Sequence, residues 1–544
     1  MKKKALALML ALTMAVLGGC SQKGGSDSTQ AAAPAEAAKT DGGAAARTEE
    51  ANGKEAEAQS GREIDTLRVG VGAMSANFNP CKDMGIQALR MIYNIHDRLM
   101  YQDKDGTIKP QLAESWSWVD DKTFELKLRQ DVKFHNGDPF TAEDVKFTFD
   151  LAISREIGTA MTQVVDSVES AEVVDDYTVR LHLKWPDSII DTRLGATRTA
   201  YIIPGKYYQE AGGLDGFNAA PVGCGPFKVA SVMQGEKIVL ERFDDYYGEK
   251  PQVKTVEFIK YGEDATRMTA LLNGEVDVIN DINNDLLANF QNEPNIRTHV
   301  TPVQLYHLYL YNTKEGPTAD KKLRQAMNMA IDRELLVETL WGEGAKVPPG
   351  WQVEEFGDYY IEDYEPVRYD PERAKQLVAE SGYDGSPIEF QIQPNYYMND
   401  VQAAEVCTDL WKQVGINVQI VYKEKMDKDF SGLRTWSCAV RFNDPLGAIW
   451  VQIPDSDMTV VSWPNPPQEI YTEAGDILKN SQDKEERRKA ARRYMEILDD
   501  EVPASYLYLP EEIWGIRTDR NFEWDPYWTI QQIISLRAED FQAK

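Results

Sequence analysis

The side chains best suited to chemistry are thinly spread in this 544-residue chain. Its five histidines, His96, His135, His182, His299 and His307, stand singly, without the close spacing of a metal site. There is no G-x-S-x-G elbow, no glycine-rich phosphate loop opening a helix and no H-E-x-x-H pair. No nucleophile can be placed beside a base, so neither an enzyme activity nor a cofactor is expected. Acidic pairs are abundant only because Asp and Glu number 88 against 59 Lys and Arg, a net charge of −29. Acidity on that scale is a solvated surface, and it excludes nucleic-acid binding, which needs a basic face. The informative stretch is Arg434 to Trp450, RTWSCAVRFNDPLGAIW, where arginines, an Asn443-Asp444 pair and the rings of Trp436 and Trp450 fall together. Guanidinium groups suit carboxylates or phosphates held bidentately, and rigid aromatic plates suit sugars and extended chains.

The elements that must position these residues can be read from periodicity. Thr123 to Leu128 places Phe124, Leu126 and Leu128 on one face of a strand, and Asn136-Gly137-Asp138-Pro139 supplies a turn. Thr141, three residues before Asp144, caps a helix that begins Val145, Phe147, Phe149. Further on, helices are predicted over Ile86 to Met100, Asp264 to Asn273, Lys322 to Leu340, Gln402 to Val414 and Asp483 to Asp500, with Asp370-Pro371 opening another. Strands are predicted at Leu67 to Val71, Thr178 to Leu183, Val253 to Lys260, Leu308 to Thr313, Ile388 to Gln393, Val418 to Tyr422 and Val502 to Tyr508. Alternation of strands and helices over so many residues requires an α/β fold with more than one core.

The N-terminus reads separately. Lys2, Lys3 and Lys4 precede an apolar run, Ala5 to Val16, too short to span a bilayer, and Leu17-Gly18-Gly19-Cys20 follows. This resembles the bacterial lipobox, which implies lipidation of Cys20 and anchoring of an exported chain to the cell membrane. Residues 21–62 carry no aromatic residue and are expected to form a disordered tether with an r.m.s. reach of roughly 35 Å. Cys81, Cys224, Cys407 and Cys438 match no zinc pattern and are expected to be buried thiols.

Several stretches also resemble one known family. LAESW, D-x-x-T-F and R-x-x-V-K-F-H-x-G-x-P-x-T-A-E-D-V, in that order between Leu112 and Val145, resemble the signature of extracellular solute-binding protein family 5, the peptide, nickel and oligosaccharide receptors of ABC importers. Val222-Gly223-Cys224-Gly225-Pro226, the A-I-D-R box at Ala330 to Arg333 and Asp444-Pro445 resemble further family landmarks. The resemblance implies a two-lobed periplasmic-binding-protein-like fold (type II, cluster C) with an extra small domain in the first lobe. It assigns residues 63–107, 222–305 and 512–544 to lobe I, 108–221 to the accessory domain and 306–511 to lobe II. It also implies a monomer that carries a peptide or other small solute to a membrane permease by hinge closure, without a nucleic-acid partner. Ser75, Asn77 and Phe78, after the first strand, and Tyr396 and Tyr397, in the second lobe, are the implied ligand contacts. Peptide-binding members place an aspartate three residues before the Asp-Pro pair, to meet the ligand's ammonium. This chain has Arg441 there, which disfavours a free peptide N-terminus. An oligosaccharide, an anionic opine-like compound or a nickel chelate is the alternative solute, and Asp332 and Arg333 are expected to serve as a local ion pair or a helix cap.

Overall fold

The computed structural model describes residues 63–103, 106–158, 160–161, 165–196, 200–290, 292–394, 396–450, 459–526 and 533–543. Cys20 and the tether lie outside the described residues, as does the side chain of Trp450.

Three sheets carry the architecture. The largest has seven strands in the spatial order Ile296–Pro302, Glu511–Arg517, Val278–Ile279, Ile64–Val71, Val253–Lys260, Lys237–Arg242 and Phe227–Met233. Ile64–Val71 runs parallel to both its neighbours, and the other ladders are antiparallel. Leu67, Val69 and Val71 alternate into a core shared with Val256 and Phe258.

The second sheet has five strands in the order Val418–Tyr422, Ile388–Ile392, Leu433–Ala439, Leu305–Tyr311 and Ala504–Tyr508. Its Leu305–Tyr311 strand reads LYHLYLY because both of its faces are covered. Tyr309 and Tyr311 pack with Phe390 and Trp411, whereas Tyr306, Leu308 and Leu310 join Trp351 and Tyr506. These two mixed sheets with their helices are the two α/β lobes that the sequence predicts. The chain passes between them twice, after Pro302 and after Tyr508, and the passages lie side by side. The Val303 N–H donates to the Pro510 carbonyl (2.9 Å), and Lys346 and Leu509 exchange backbone hydrogen bonds of 3.0 and 2.9 Å.

A third, antiparallel sheet orders Ala113–Asp120, Thr123–Leu128, Thr178–Leu183 and Val168–Asp175. Phe124, Leu126 and Leu128 are buried in one cluster with Val145 and Phe149 of helix Ala142–Ser154. The helix starts where the capping pattern predicts, the Thr141 N–H donating to Asp144 Oδ2 at 2.9 Å. The Gly223-Cys224-Gly225 stretch that follows this unit runs so close to the end of helix Ile86–Ile95 that a Cβ at Gly223 would lie 1.9 Å from the Ile95 carbonyl oxygen. Close approach, rather than a left-handed turn, is therefore what Gly223 is for. The imidazole of His135 clasps the same stretch: the Gly223 N–H donates to Nδ1 (3.1 Å) and Nε2 donates to the Gly225 carbonyl (3.0 Å).

Two helices are shorter than their periodicity predicts. Ile86–Ile95 stops before Met100, which begins the strand Met100–Gln102, because His96 adopts an extended backbone. Lys322 to Leu340 is two helices, Lys321–Met329 and Arg333–Leu340, since the Asp332 carboxylate accepts the Leu335 N–H (3.0 Å) and starts the second one. Asp332 is thus a helix cap. It is not the ion-pair partner of Arg333, whose Nε donates to the Tyr506 carbonyl (2.9 Å). Asp370 caps Pro371–Ser381 as expected. The four cysteines among the described residues, Cys81, Cys224, Cys407 and Cys438, are free and buried.

Helix Lys484–Glu501 lays Ala490, Ala491, Tyr494 and Leu498 on the second lobe's core and carries a half-buried acid, Asp499, which accepts the Tyr364 hydroxyl hydrogen (2.6 Å). Burial pushes the Asp499 carboxyl up to about 6. A raised native pKa means that the folded state holds the proton more tightly, so this group's contribution to stability is present at pH 4 and is lost as the pH rises through 6. Asp499→Asn is expected to match the parent protein in urea unfolding near pH 4 and to exceed it near pH 8, by an amount of order 1.4 kcal/mol per unit of pKa shift. A constant difference across that range would refute the assignment.

Candidate functional site

A cavity of about 770 Å³ lies between the two lobes. The second lobe builds one wall from strand register. Leu305 pairs with Ala439 and His307 with Ser437 in the antiparallel ladder of Leu305–Tyr311 and Leu433–Ala439, so two alternate rungs present side chains on one face at one end of the sheet. The segment after strand Ile388–Ile392 lays Tyr396, Tyr397 and Met398 over them. Tyr397 donates its hydroxyl hydrogen to Ser437 Oγ (2.9 Å), and its ring centroid lies 4.8 Å from that of His307. Trp341 and Tyr508 surround the imidazole from the other side, at 6.3 and 5.3 Å. His307 is 5% exposed, and burial pushes its pKa down to about 3, so it faces a solute as an uncharged ring. Tyr396 is 62% exposed and stands edge-on to Tyr397, free to be covered by what enters.

Two arginines flank this aromatic wall. The Arg434 guanidinium lies 5.0 Å from the Trp436 ring centre and donates to the Asp427 carbonyl (2.6 Å), which props the indole against the cavity. Arg441 lines the cavity directly. Its backbone N–H is fixed by the Gly447 carbonyl (2.8 Å), and the preceding Val440 N–H by the carbonyl of Gln304 on the first passage between lobes (3.0 Å). Burial lowers its pKa, and a guanidinium keeps its charge through such a shift.

The facing wall comes from lobe I. Asp83, Ile86 and Gln87 line it at the start of helix Ile86–Ile95, where Asp83 Oδ1 accepts the Gly85 N–H at 2.7 Å. Asp281 stands beside them with a left-handed backbone (φ 53°), held by Arg267, which donates to the carbonyls of Asn280 (3.0 Å) and Asp281 (2.8 Å). The floor is Pro510 and Glu511. The buried Glu511 carboxylate accepts the N–H groups of Gly342 and Gly344, both at 2.7 Å, and the Asn284 amide at 2.9 Å. One side chain thus joins a loop of the second lobe to a turn of the first, where the chain crosses between them.

Of the residues singled out from sequence, Tyr396, Tyr397, Trp436 and Arg441 lie together on the cavity wall. Apart from Trp450, whose side chain lies outside the described residues, the others lie elsewhere. Phe78 is fully buried in the lobe I core, and its N–H donates to Asn218 Oδ1 (2.9 Å). Asn77 is spent on the carbonyl of Asn79 (2.9 Å), and Ser75 Oγ accepts the Asn77 N–H (3.1 Å). Asp444 is buried under Arg487, and Asn443 lies near Gly106. His307, Trp341, Ser437, Asp281 and Glu511 belong to the site without having been anticipated. Their signal, position at the cavity end of a strand or beside a passage between sheets, exists only once the strands are paired.

The walls carry aromatic rings and isolated charges, and no group of three or more His, Cys, Asp or Glu able to hold a metal ion occurs among the described residues. No helix among them is long and apolar enough to cross a membrane. The profile of the bacterial extracellular solute-binding proteins, family 5 (Middle), matches residues 107–463. The chain belongs to this family. As a family 5 member it is an extracellular solute-binding protein. It is 30% identical over 392 residues, 67% of this chain and 73% of the other, to a putative ABC transporter peptide-binding protein of Brucella ovis. It is 28% identical over 366 residues to the dipeptide-binding protein of Escherichia coli, covering 61% and 66% of the two chains. The fold is shared with the periplasmic binding protein DppA of Helicobacter pylori in complex with the peptide STSA (TM-score 0.76, 21% identity, 90% and 99% coverage). The family 5 relationship accounts for the two lobes.

Proposed function

We propose that this family 5 protein captures a peptide or peptide-like solute in the interlobe cavity and delivers it to the permease of an ABC importer. The observation that carries the reading is the cavity itself: about 770 Å³, walled by one lobe on each side and floored by Pro510 and Glu511 at a passage between them. A solute touching both walls favours the conformation in which they approach, so binding and lobe closure are one equilibrium. The names of the Brucella ovis and Escherichia coli relatives support a peptide. Accessory residues 108–221, a monomeric state and tethering of the exported chain through a lipid on Cys20 belong to the same proposal.

Arg441 on the cavity wall favours a second reading of the solute's chemistry, an anionic or opine-like compound whose carboxylate meets the guanidinium. The two readings separate in a thermal-shift panel of short peptides with free and blocked termini, sugars, opines and nickel chelates. At a hundredfold excess over Kd a ligand adds about 2.7 kcal/mol, a rise of a few degrees or less for a chain of this size. Arg441→Ala is expected to weaken a carboxylate-bearing ligand about ten- to hundredfold, the worth of a hydrogen bond to a charged group. Stabilisation by free-amine peptides that is indifferent to Arg441→Ala would sink the anionic reading, and a panel without any stabilising compound would sink the peptide reading as well.

A further inference from the structure

A second, smaller cavity of about 200 Å³ lies at the same passages and shares no lining residue with the interlobe cavity. Neighbours in sequence divide between the two. Gln304 and Leu509 line the small cavity, while Leu305 and Pro510 line the large one. Gln304 is 8% exposed, and its amide nitrogen is fully buried without a hydrogen-bond partner among the described residues. A buried amide left unpaired costs about 1 to 3 kcal/mol, so the fold carries a donor waiting for an acceptor. Around it, Pro302, Val303, Pro348, Pro349 and Val353 make an apolar wall, and Lys346, Glu354 and Glu355 supply one positive and two negative charges.

We propose that this cavity is a second binding site, for a free α-amino acid with an apolar side chain, that senses or sets the relative position of the lobes. Each part of such a molecule has a counterpart: the carboxylate takes the Gln304 amide hydrogen beside Lys346, the ammonium faces Glu355, and the side chain lies on Pro348, Pro349 and Val353. The volume admits one small molecule and no extended chain. Since the first passage contributes Pro302 to Gln304, the second Leu509, and the second lobe the segment Lys346 to Glu355, the site is complete only while these segments keep their mutual hydrogen bonds. An occupant therefore acts on the same lobe equilibrium as the solute, through separate residues. The site does not depend on what the large cavity carries.

The test is a titration of the full-length protein with L-leucine, L-valine and L-proline, followed by thermal shift and calorimetry, with L-glutamate and L-lysine as charged controls. Gln304→Leu keeps the size and removes the amide, and Lys346→Ala removes the positive charge without touching the core. The proposal expects a rise in Tm with the apolar amino acids alone, a Kd at least tenfold weaker in Gln304→Leu and in Lys346→Ala, and an unchanged Kd in Arg441→Ala. No response to any apolar amino acid, as for a cavity holding only water, overturns it. So does a response that survives Gln304→Leu and disappears in Arg441→Ala, which would place the amino acid in the interlobe cavity and leave the solute-receptor reading standing.

Discussion

Urea unfolding at pH 5 is expected to find the protein a few kcal/mol less stable than at pH 7, because three histidines are buried uncharged. Burial pushes His96 down to about 4 and His135 and His307 each to about 3. An unfolded chain protonates each histidine near pH 6.5, so between there and about pH 4 the unfolded state binds more protons than the native one. Stability in this window falls as the pH falls, each histidine accounting for about 2 kcal/mol by pH 5. Asp400 and Asp499, both raised to about 6 by burial, act in the opposite sense, as do Asp144, Asp191, Asp444 and Glu539, whose carboxyls burial also raises, and they offset part of the loss. His307 is the cleanest one to remove, since its surroundings are the rings of Tyr397, Tyr508 and Trp341. His307→Phe should make the dependence between pH 6 and 4 shallower by about 1.4 kcal/mol per pH unit. Parallel curves for the two proteins would show that His307 is charged in the native state.

Arg487→Ala is expected to cost about 3 to 5 kcal/mol, the usual result of stripping one partner from a buried ion pair. Arg487 and Asp444 are each 1% exposed and pair at 2.5 Å. The guanidinium also donates to the Leu478 carbonyl (2.7 Å) and, far away in sequence, to Ser188 Oγ (2.6 Å). Burial raises the Asp444 pKa and the Arg487 charge opposes it, so losing the arginine leaves a carboxylate that is better protonated than charged. Nearby, Arg193 pairs with Asp187 (2.8 Å) and lies 5.3 Å from the Phe442 ring centre, and Ile189 and Ala196 enter the second lobe's core cluster. The damage should therefore reach the contact between residues 187–196 and the second lobe. Denaturant titration of Arg487→Ala, with Asp444→Asn/Arg487→Met as the repaired pair, measures it. A single mutant within 1 kcal/mol of the parent would mean that the pair is hydrated, and the double mutant should recover most of the loss.

Local rules read the scaffold well wherever one residue decides an element. Thr141, Asp370 and Asp483 are helix starts visible in the sequence, and all three are N-cap positions in the structure. The same rules missed the stop at Ala330 to Asp332, because the apolar spacing runs on through a cap that begins a second helix. The site was legible only in part. Tyr396, Tyr397, Trp436 and Arg441 announce themselves by residue type, but Phe78, an aromatic in the expected loop, is core. His307 stands just before the predicted strand Leu308 to Thr313 as one of five single histidines, and only its pairing with Ser437, together with Tyr397 above, turns it toward the cavity. Glu511 is one of 88 acids in the sequence and becomes singular only through the two backbone N–H groups that converge on it from another lobe.

The four isolated thiols have a practical consequence for a protein that works outside the cytoplasm. Burial raises the pKa of each well above that of an exposed thiol, to about 12 for Cys81, Cys407 and Cys438, so almost no thiolate exists to meet an oxidant. Folding of the described residues thus needs no disulfide-forming catalyst, and added reductant is expected to leave their native structure as it was. The sulfurs become reactive only when the surrounding structure opens. Cys224 beneath the His135 clasp, Cys438 on the strand beside the cavity and Cys407 in the helix behind it then serve as three built-in reporters, whose alkylation rates rank the local opening of each region.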